Sequence, residues 1–361
     1  MPKKFLVTGC AGFIGFHLVN ALLERGDTVI GIDNINEYYD VNLKYSRLLE
    51  AGIERSKIDW KKPVLSDKYL DYTFVRMNLE DKEDLLAMCK AENFDIIINL
   101  AAQAGVRYSI ENPDSYVQSN IVGFLNILEA SRHCKIKHLV YASSSSVYGM
   151  NELIPFSVKH TVDHPVSLYA ATKKSNELMA HAYSHLFNIP TSSLRFFTVY
   201  GPWGRPDMAY YLFAEAIKND KPIKVFNNGK LKRDFTFIDD VVKGIINVAE
   251  SPATGDKNWD VNKPDISRSK APYRLYNIGN NKPVELMDFI QTIGAIMLKK
   301  PKMIMMDMQP GDVLATWADV DELMEMFDYS PDTTINEGLT KFVNWFNAYH
   351  KATVEEEMSL L

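Results

Sequence analysis

The sequence predicts an α/β fold, a doubly wound parallel sheet accompanied by a smaller, discontinuous α/β lobe. Three observations predict it. Short apolar, β-rich runs alternate with helical patterns through the first half of the chain, the rhythm of parallel strands joined by crossover helices. The strand candidates, such as Asp95-Ile-Ile-Ile-Asn-Leu-Ala101, are almost continuously apolar, which suits a sheet covered on both faces. A glycine-rich turn also separates the first strand from the first helix.

Taken in order, Phe5–Gly9 reads as a buried strand. Phe13–Arg25 reads as a helix with Phe13, Leu18, Ala21 and Leu22 on its apolar side. Thr28–Asp33 is the second strand. The segment Asn36–Leu70 is charged, tyrosine-rich and long for a plain connection, so it is expected to carry a short helix over Asn42–Ala51 and to cover a site. Strands follow at Tyr72–Met77, Asp95–Ala101 and His138–Ser143, with helices at Asp81–Lys90 and Pro113–His133 between them. A helix at Leu168–Phe187 and a strand at Thr191–Val199 continue the alternation. Beyond them Gly201–Asp207 is rich in proline and glycine, and helices recur at Ile238–Glu250, Glu285–Leu298 and Ile335–Lys351. The expected division is a dinucleotide-binding domain over 1–199 with 236–251, and a substrate lobe over 200–235 and 252–361. A return of part of that last segment to the first domain is left open.

Composition narrows the class of protein. Forty Lys and Arg against 46 Asp and Glu leave a net charge of −6 in 361 residues, with 46% hydrophobic and 24% charged. This is ordinary globular usage. It lacks the basic stripe of a nucleic-acid binder. Anionic ligands must therefore be met by local arginines and backbone amides. Three cysteines, Cys10, Cys89 and Cys134, are too few and scattered for a disulfide framework or zinc cluster, and no metal site is expected. No stretch approaches the roughly 18 apolar residues of a membrane span. The start lacks an apolar core of signal-peptide length. The expectation is a soluble, cytoplasmic protein with no membrane partner.

Gly9-Cys-Ala-Gly12-Phe-Ile-Gly15 occupies the turn between the first strand and helix. Glycine permits a tight turn and close approach of backbone to a pyrophosphate, while the helix amino terminus offers oriented N–H donors. Asp33 ends the second strand, where a carboxylate accepts from the adenosine ribose hydroxyls and repels a 2′-phosphate. Its neutral follower Asn34 leaves that preference intact, so NAD is expected over NADP in a Rossmann-like domain.

Tyr169-Ala-Ala-Thr-Lys173 sets tyrosine and lysine one helical turn apart on one face. A tyrosine of pKa about 10 is a poor base at neutral pH. A neighbouring ammonium and a positive nicotinamide ring favour the phenolate. Four serines, Ser143 to Ser146, leave the strand at His138–Ser143 at its carboxyl end, the side on which open α/β sheets bind ligands.

The glycine loop, Asn99-Leu-Ala-Ala-Gln103, Ser143-Ser-Ser-Ser-Val-Tyr-Gly149 and Tyr169-x-x-x-Lys173 together resemble the extended short-chain dehydrogenase/reductase family acting on nucleotide sugars. Within it the chain most resembles UDP-glucuronate 4-epimerases. That narrower likeness rests on Asn36-Glu-Tyr-Tyr-Asp-Val-Asn-Leu-Lys44, Ala102-Gln-Ala-Gly-Val-Arg-Tyr-Ser109 and Arg195-Phe-Phe-Thr-Val-Tyr-Gly-Pro-Trp-Gly-Arg-Pro-Asp-Met-Ala209. It extends to Arg233-Asp-Phe-Thr-Phe-Ile-Asp-Asp240, Tyr276-Asn-Ile-Gly-Asn280 and Gln309-Pro-Gly-Asp312.

The resemblance implies Tyr169 as base, Lys173 lowering its pKa and holding the nicotinamide ribose, and Ser144 sharing the proton of the sugar 4-hydroxyl. It implies that Gly9, Gly12, Phe13, Ile14, Gly15, Asp33, Asn34, Asn78, Leu79, Leu100, Ala101, Ala102 and Asn120 surround the cofactor. Arg233 and Asp312 would hold the UDP diphosphate and ribose, with Val225 beside uracil. Two positions depart from the family pattern: Gln309 stands where some relatives carry a second diphosphate arginine, and Asn78 where an aspartate is common.

Decarboxylases and dehydratases of the family place a glutamate, or an aspartate–glutamate pair, where this chain has Ser145 and Ser146, which argues against elimination or decarboxylation. UDP-glucose epimerases generally have asparagine where Thr198 stands. A uronate needs donors, and Arg205 is suited to bind its carboxylate bidentately, directly or after a swing of its loop, with Arg107 a second candidate. The expected function is 4-epimerisation of UDP-glucuronate to UDP-galacturonate through a transient 4-keto sugar. The alternatives are epimerisation of UDP-glucose or a UDP-N-acetylhexosamine, decarboxylation, and a non-catalytic sensor. The family also implies a homodimer built on the helices at Pro113–His133 and Leu168–Phe187.

Overall fold

The computed structural model describes residues 2–308 and 314–359, so Gln309 and Asp312 lie outside the described residues. Its strands are β1 (Lys4–Thr8), β2 (Thr28–Asp33), β3 (Pro63–Leu65), β4 (Tyr72–Arg76), β5 (Ile96–Asn99), β6 (His138–Ser144) and β7 (Thr191–Phe196). Shorter pieces follow: β8 (Thr198–Tyr200), β9 (Ile223–Val225), β10 (Lys232–Arg233), β11 (Phe235–Phe237), β12 (Tyr273–Ile278), β13 (Val284–Glu285) and β14 (Met303–Met305). The helices begin with α1 (Phe13–Glu24), α2 (Val41–Glu50), α3 (Lys82–Glu92), α4 (Tyr108–Glu111), α5 (Pro113–Tyr116) and α6 (Phe124–His133). They continue with α7 (Leu168–Phe187), α8 (Ala209–Lys218), α9 (Ile238–Glu250), α10 (Leu286–Ile296), α11 (Asp321–Phe327) and α12 (Ile335–Ser359).

The main sheet has eight strands in the order β12-β7-β6-β5-β1-β2-β4-β3. Every pairing is parallel except β3 with β4 at one edge. Alternate residues of each central strand enter opposite layers of core. Phe5 and Val7 of β1 and Ile96 and Ile98 of β5 join one buried cluster with α1 and α9, while Leu6 and Ile97 join another with α3 and α6. Both faces are covered, which is why these strands read as unbroken apolar runs.

β1 lies between β2 and β5, so the chain's progress across the sheet reverses at that strand. A crevice opens at such a switch point beyond the carboxyl ends of the strands, where ligands bind in open α/β sheets. The glycine turn, the β5–α4 loop and the serine run all leave strands at that edge.

Two elements differ from the expectation. The strand expected over 191–199 is interrupted at Phe197: β7 stays in the main sheet, whereas β8 pairs in parallel with β11. Phe197 N–H donates to Ile278 O and Thr198 N–H to Asp234 O, so the chain changes sheets between those two residues. The single helix expected over 113–133 is instead α5, a π-helical segment at Val117–Gly123, and α6. Asn120 lies within the widened turn, where its carbonyl accepts from Asn176 Nδ2 at 2.6 Å. Its side chain bonds Gln103 N and O and Thr172 Oγ1. Partners on the β5–α4 loop and α7 hold this turn open, the kind of local departure π segments commonly mark near functional sites.

Candidate active site

The glycine turn is shaped by steric need. Gly9 has φ +71°, and a Cβ there would lie 2.9 Å from Ala101 N; a Cβ at Gly15 would lie 2.1 Å from Gly9 O. These positions admit no side chain. Gly12 caps α1 with no side-chain hydrogen bond, so the helix's first N–H groups face the cleft unsupported by a polar side chain. Asp33, at the carboxyl end of β2, accepts from Ile35 N at 2.8 Å and Ala11 N at 3.2 Å. Its carboxylate thus fixes the turn while fronting the cleft.

The cleft has a volume of about 1270 Å³, which exceeds the space one drug-sized ligand needs and suits two. Gly9, Gly12, Phe13, Ile14, Gly15, Asp33, Asn34, Leu79, Leu100, Ala101 and Ala102 line one end. Ser144, Ser145, Ser146, Tyr169, Lys173 and Thr198 line the same cleft, as do Arg107, Arg205 and Arg233. The residues at the first end fit a dinucleotide: a cradle closed to any Cβ, open helix N–H groups, and an acid placed for ribose.

Three predicted residues stand behind that lining. Asn78 Oδ1 accepts from Asn34 Nδ2 at 3.1 Å and so braces a residue that does face the cleft. Asn120 is buried against Gln103, as described above. Val225 is wholly buried in β9, while its neighbours Lys224 and Phe226 reach the cleft.

β6 delivers Ser144, whose Oγ accepts from Ser146 N at 3.1 Å. α7 begins at the Ser167 cap, which accepts from Ala170 N at 3.1 Å, and carries Tyr169 and Lys173 on the face toward β6. Lys173 Nζ donates to Ala142 O at 2.9 Å, and burial lowers its pKa to about 8. Burial pushes the Tyr169 phenol above its ordinary value; a hydrogen bond with Ser144 and the charge of Arg205 pull the other way. The ammonium expected to tune the phenol is therefore turned to a backbone carbonyl, and Ser144 and Arg205 do the opposing.

The fork of Arg205, the residue expected to bind a uronate carboxylate, is engaged. Nε and Nη2 hold Asp207 Oδ1 and Oδ2 at 3.0 and 2.5 Å. Tyr38 Oη donates to the same Asp207 at 3.1 Å, and its ring stands 5.7 Å from the guanidinium carbon. Against the burial that would raise it, Arg205 and Tyr38 hold the Asp207 carboxyl below the ordinary carboxylate range. Burial and Asp207 push Tyr38 up to about 12, which keeps it a proton donor. Arg107 is exposed, with its guanidinium carbon 5.6 Å from the Phe226 ring. Arg233 Nη1 donates to Lys232 O at 2.9 Å.

Sequence reasoning missed Glu177 and Asp207. Glu177 lies one turn beyond Lys173 on the same face of α7, accepts from Ser143 Oγ at 2.7 Å, and binds Arg195 through two 2.8 Å contacts. The four-residue spacing from Tyr169 to Lys173 to Glu177 was a signal that pointed to it. Asp207 stood inside a quoted motif, but nothing in the sequence linked it to Arg205.

A family model described as the NAD dependent epimerase/dehydratase family matches residues 5–263. Among curated proteins, Protein CapI of Staphylococcus aureus is 53% identical over 348 residues, covering 96% of this chain and 99% of that protein. A probable UDP-glucuronate 4-epimerase of Rhizobium meliloti is 43% identical over 96% of this chain and 98% of its own length. Among solved structures, a UDP-glucuronic acid 4-epimerase from Bacillus cereus, in complex with UDP-glucuronic acid and NAD, superposes with a TM-score of 0.79. It is 30% identical over 96% of this chain and 99% of that one.

Proposed function

The chain belongs to the NAD dependent epimerase/dehydratase family, and from that premise we propose that this NAD-dependent isomerase interconverts UDP-glucuronate and UDP-galacturonate by epimerisation at C4. The observation that carries the reading is the convergence of Ser144, Tyr169 and Lys173 in one cleft with the glycine turn and the Arg205 fork. Relatives named for this activity, and the neighbour bound to UDP-glucuronic acid and NAD, support the substrate class.

When bound, NAD would supply a reversible hydride acceptor for sugar C4. The turn from Gly9 to Gly15 would hold its pyrophosphate and Asp33 its adenosine ribose. Tyr169 takes the proton of the sugar 4-hydroxyl, with Ser144 sharing the hydrogen bond, and gives it back when the ring has turned. Ser144 and Arg205 favour the phenolate against burial, and Lys173 is assigned to the nicotinamide ribose. Arg233 is assigned to the diphosphate, and Ser145, Ser146 and Thr198 offer hydroxyls toward the sugar. Arg205 is assigned to the uronate carboxylate, with Asp207 as the carboxylate that occupies its fork until then.

A 4-keto uronic acid is a β-keto acid, prone to lose carbon dioxide. An ion pair at the carboxylate favours its retention, and Ser145 and Ser146 provide no acid–base group for chemistry at C5. We further infer a cytoplasmic homodimer. Replacing Tyr169 by Phe is expected to reduce turnover by at least about 10²-fold while the protein still retains NAD. Arg205→Ala should weaken UDP-glucuronate turnover more than it weakens UDP binding. Turnover that survives Tyr169→Phe, or equal losses with Arg205→Ala, would count against the assigned roles.

A further inference from the structure

Arg47, in α2 of the long segment after β2, is wholly buried, yet no carboxylate pairs with it among the described residues. Its charge is met by oxygens from three separate places. Nη1 donates to Ala11 O at 2.9 Å, inside the glycine turn, and to Tyr39 Oη at 2.7 Å. Nε and Nη2 donate to Trp203 O at 3.1 and 2.7 Å. Nη2 also reaches Gly204 O at 3.4 Å. One planar fork thus joins the turn assigned to the cofactor's pyrophosphate to the two residues that immediately precede Arg205.

Both ends of this bridge are conformationally demanding. Trp203 has φ +60°, a region bulky residues occupy only when their surroundings enforce it. Phe16 packs on its ring, His17 Nε2 donates to Pro202 O at 2.9 Å, and Arg47 takes its carbonyl. At the other end Ala11 is held twice, its N–H on Asp33 and its C=O on Arg47. A shift of either loop must break hydrogen bonds to a buried cation, which is costly. A lysine, with a single point charge, cannot span both carbonyl sets as a planar fork does.

We propose that Arg47 is a positioning residue that couples the glycine turn to the 201–205 loop, so that NAD retention and uronate engagement by Arg205 strengthen one another. The proposal rests on the assignment of Arg205 to the uronate carboxylate. Coupling between sites is reciprocal, so a uronate on Arg205 must tighten the hold on NAD.

The test measures NAD release from the purified holoenzyme, with a dehydrogenase trapping and reporting the freed cofactor. UDP-glucuronate is compared with UDP-glucose, the same nucleotide sugar without the carboxylate. In the wild-type enzyme UDP-glucuronate should slow release roughly tenfold more than UDP-glucose, within the usual span of coupling factors. In Arg47→Lys and Arg47→Met that excess should fall below about twofold, with the UDP-glucose effect retained. Tyr39→Phe, which removes one hydrogen bond and keeps the guanidinium, should give an intermediate excess. The proposal is overturned if the wild type shows no excess, or if folded Arg47 variants keep it in full. Should those variants fail to fold, a full excess in Tyr39→Phe overturns it and a reduced one supports it. Absence of UDP-glucuronate turnover with the excess intact would sink the epimerase reading alone; turnover without the excess would sink the coupling alone.

Discussion

His138 is wholly buried at the start of β6, where Nδ1–H donates to Ala249 O at 3.1 Å and Nε2 meets Ser192 Oγ at 3.0 Å. Burial lowers its pKa to about 4, and does the same for His17 beside the glycine turn. Unfolded histidine titrates near 6.5. Above that pH both states are neutral and these groups contribute nothing to the pH dependence. As pH falls from about 6.5 to about 4 the unfolded chain takes up protons that the folded one refuses, so stability declines by up to about 1.4 kcal/mol per pH unit for each histidine. Urea unfolding between pH 7 and 5 should show this decline, with a shallower slope for His138→Gln. An unchanged slope in that variant would show that His138 is not one of its sources.

On α7, Tyr169, Lys173 and Glu177 follow one another at four-residue intervals along the face that meets β6 and β7. Glu177 and Arg195 form a pair with almost no exposed surface, 3% and 0% for the two side chains. Removing one partner of such a pair strands a buried charge, at a cost of about 3–5 kcal/mol. Glu177→Ala is therefore expected to lower the unfolding free energy by about that amount in urea titrations, whereas a loss under about 1 kcal/mol would mean that water reaches the pair. This element also shows what was legible beforehand. The bounds of α7 and its catalytic-looking tyrosine and lysine follow from periodicity and from the resemblance. The role of Glu177 does not, because its partners Ser143 and Arg195 arrive from β6 and β7, far along the chain. The π segment at Val117–Gly123 escaped for a similar reason: its widening is held by Gln103, Thr172 and Asn176, none of them local.

Across the whole molecule the strong, near-continuous strands were readable and the small pairings were not. β9 with β14 and β10 with β13 join segments of two or three residues from distant parts of the chain, too short for any periodicity to show. β12, within the 252–361 segment whose partial return to the first domain the sequence leaves open, lies in the main sheet beside β7. The net charge of −6 is no obstacle to an anionic substrate, because Arg205, Arg233 and the α1 N–H groups are concentrated around one cleft. Apolar side chains on the π segment, α6 and α7 also reach the surface, among them Val122, Leu125 and Leu178 at 38%, 38% and 61% exposure. They suit the inferred homodimer, and sedimentation should give about twice the 41.1 kDa chain mass; a 41 kDa species alone would reject it.

The most direct measurement incubates the purified protein with UDP-glucuronate, without added electron acceptor, and resolves the products by NMR. UDP-galacturonate as the main product, with no accumulation of NADH, is the predicted result. UDP-xylose, a 4-keto pentose, or no conversion at all would contradict it.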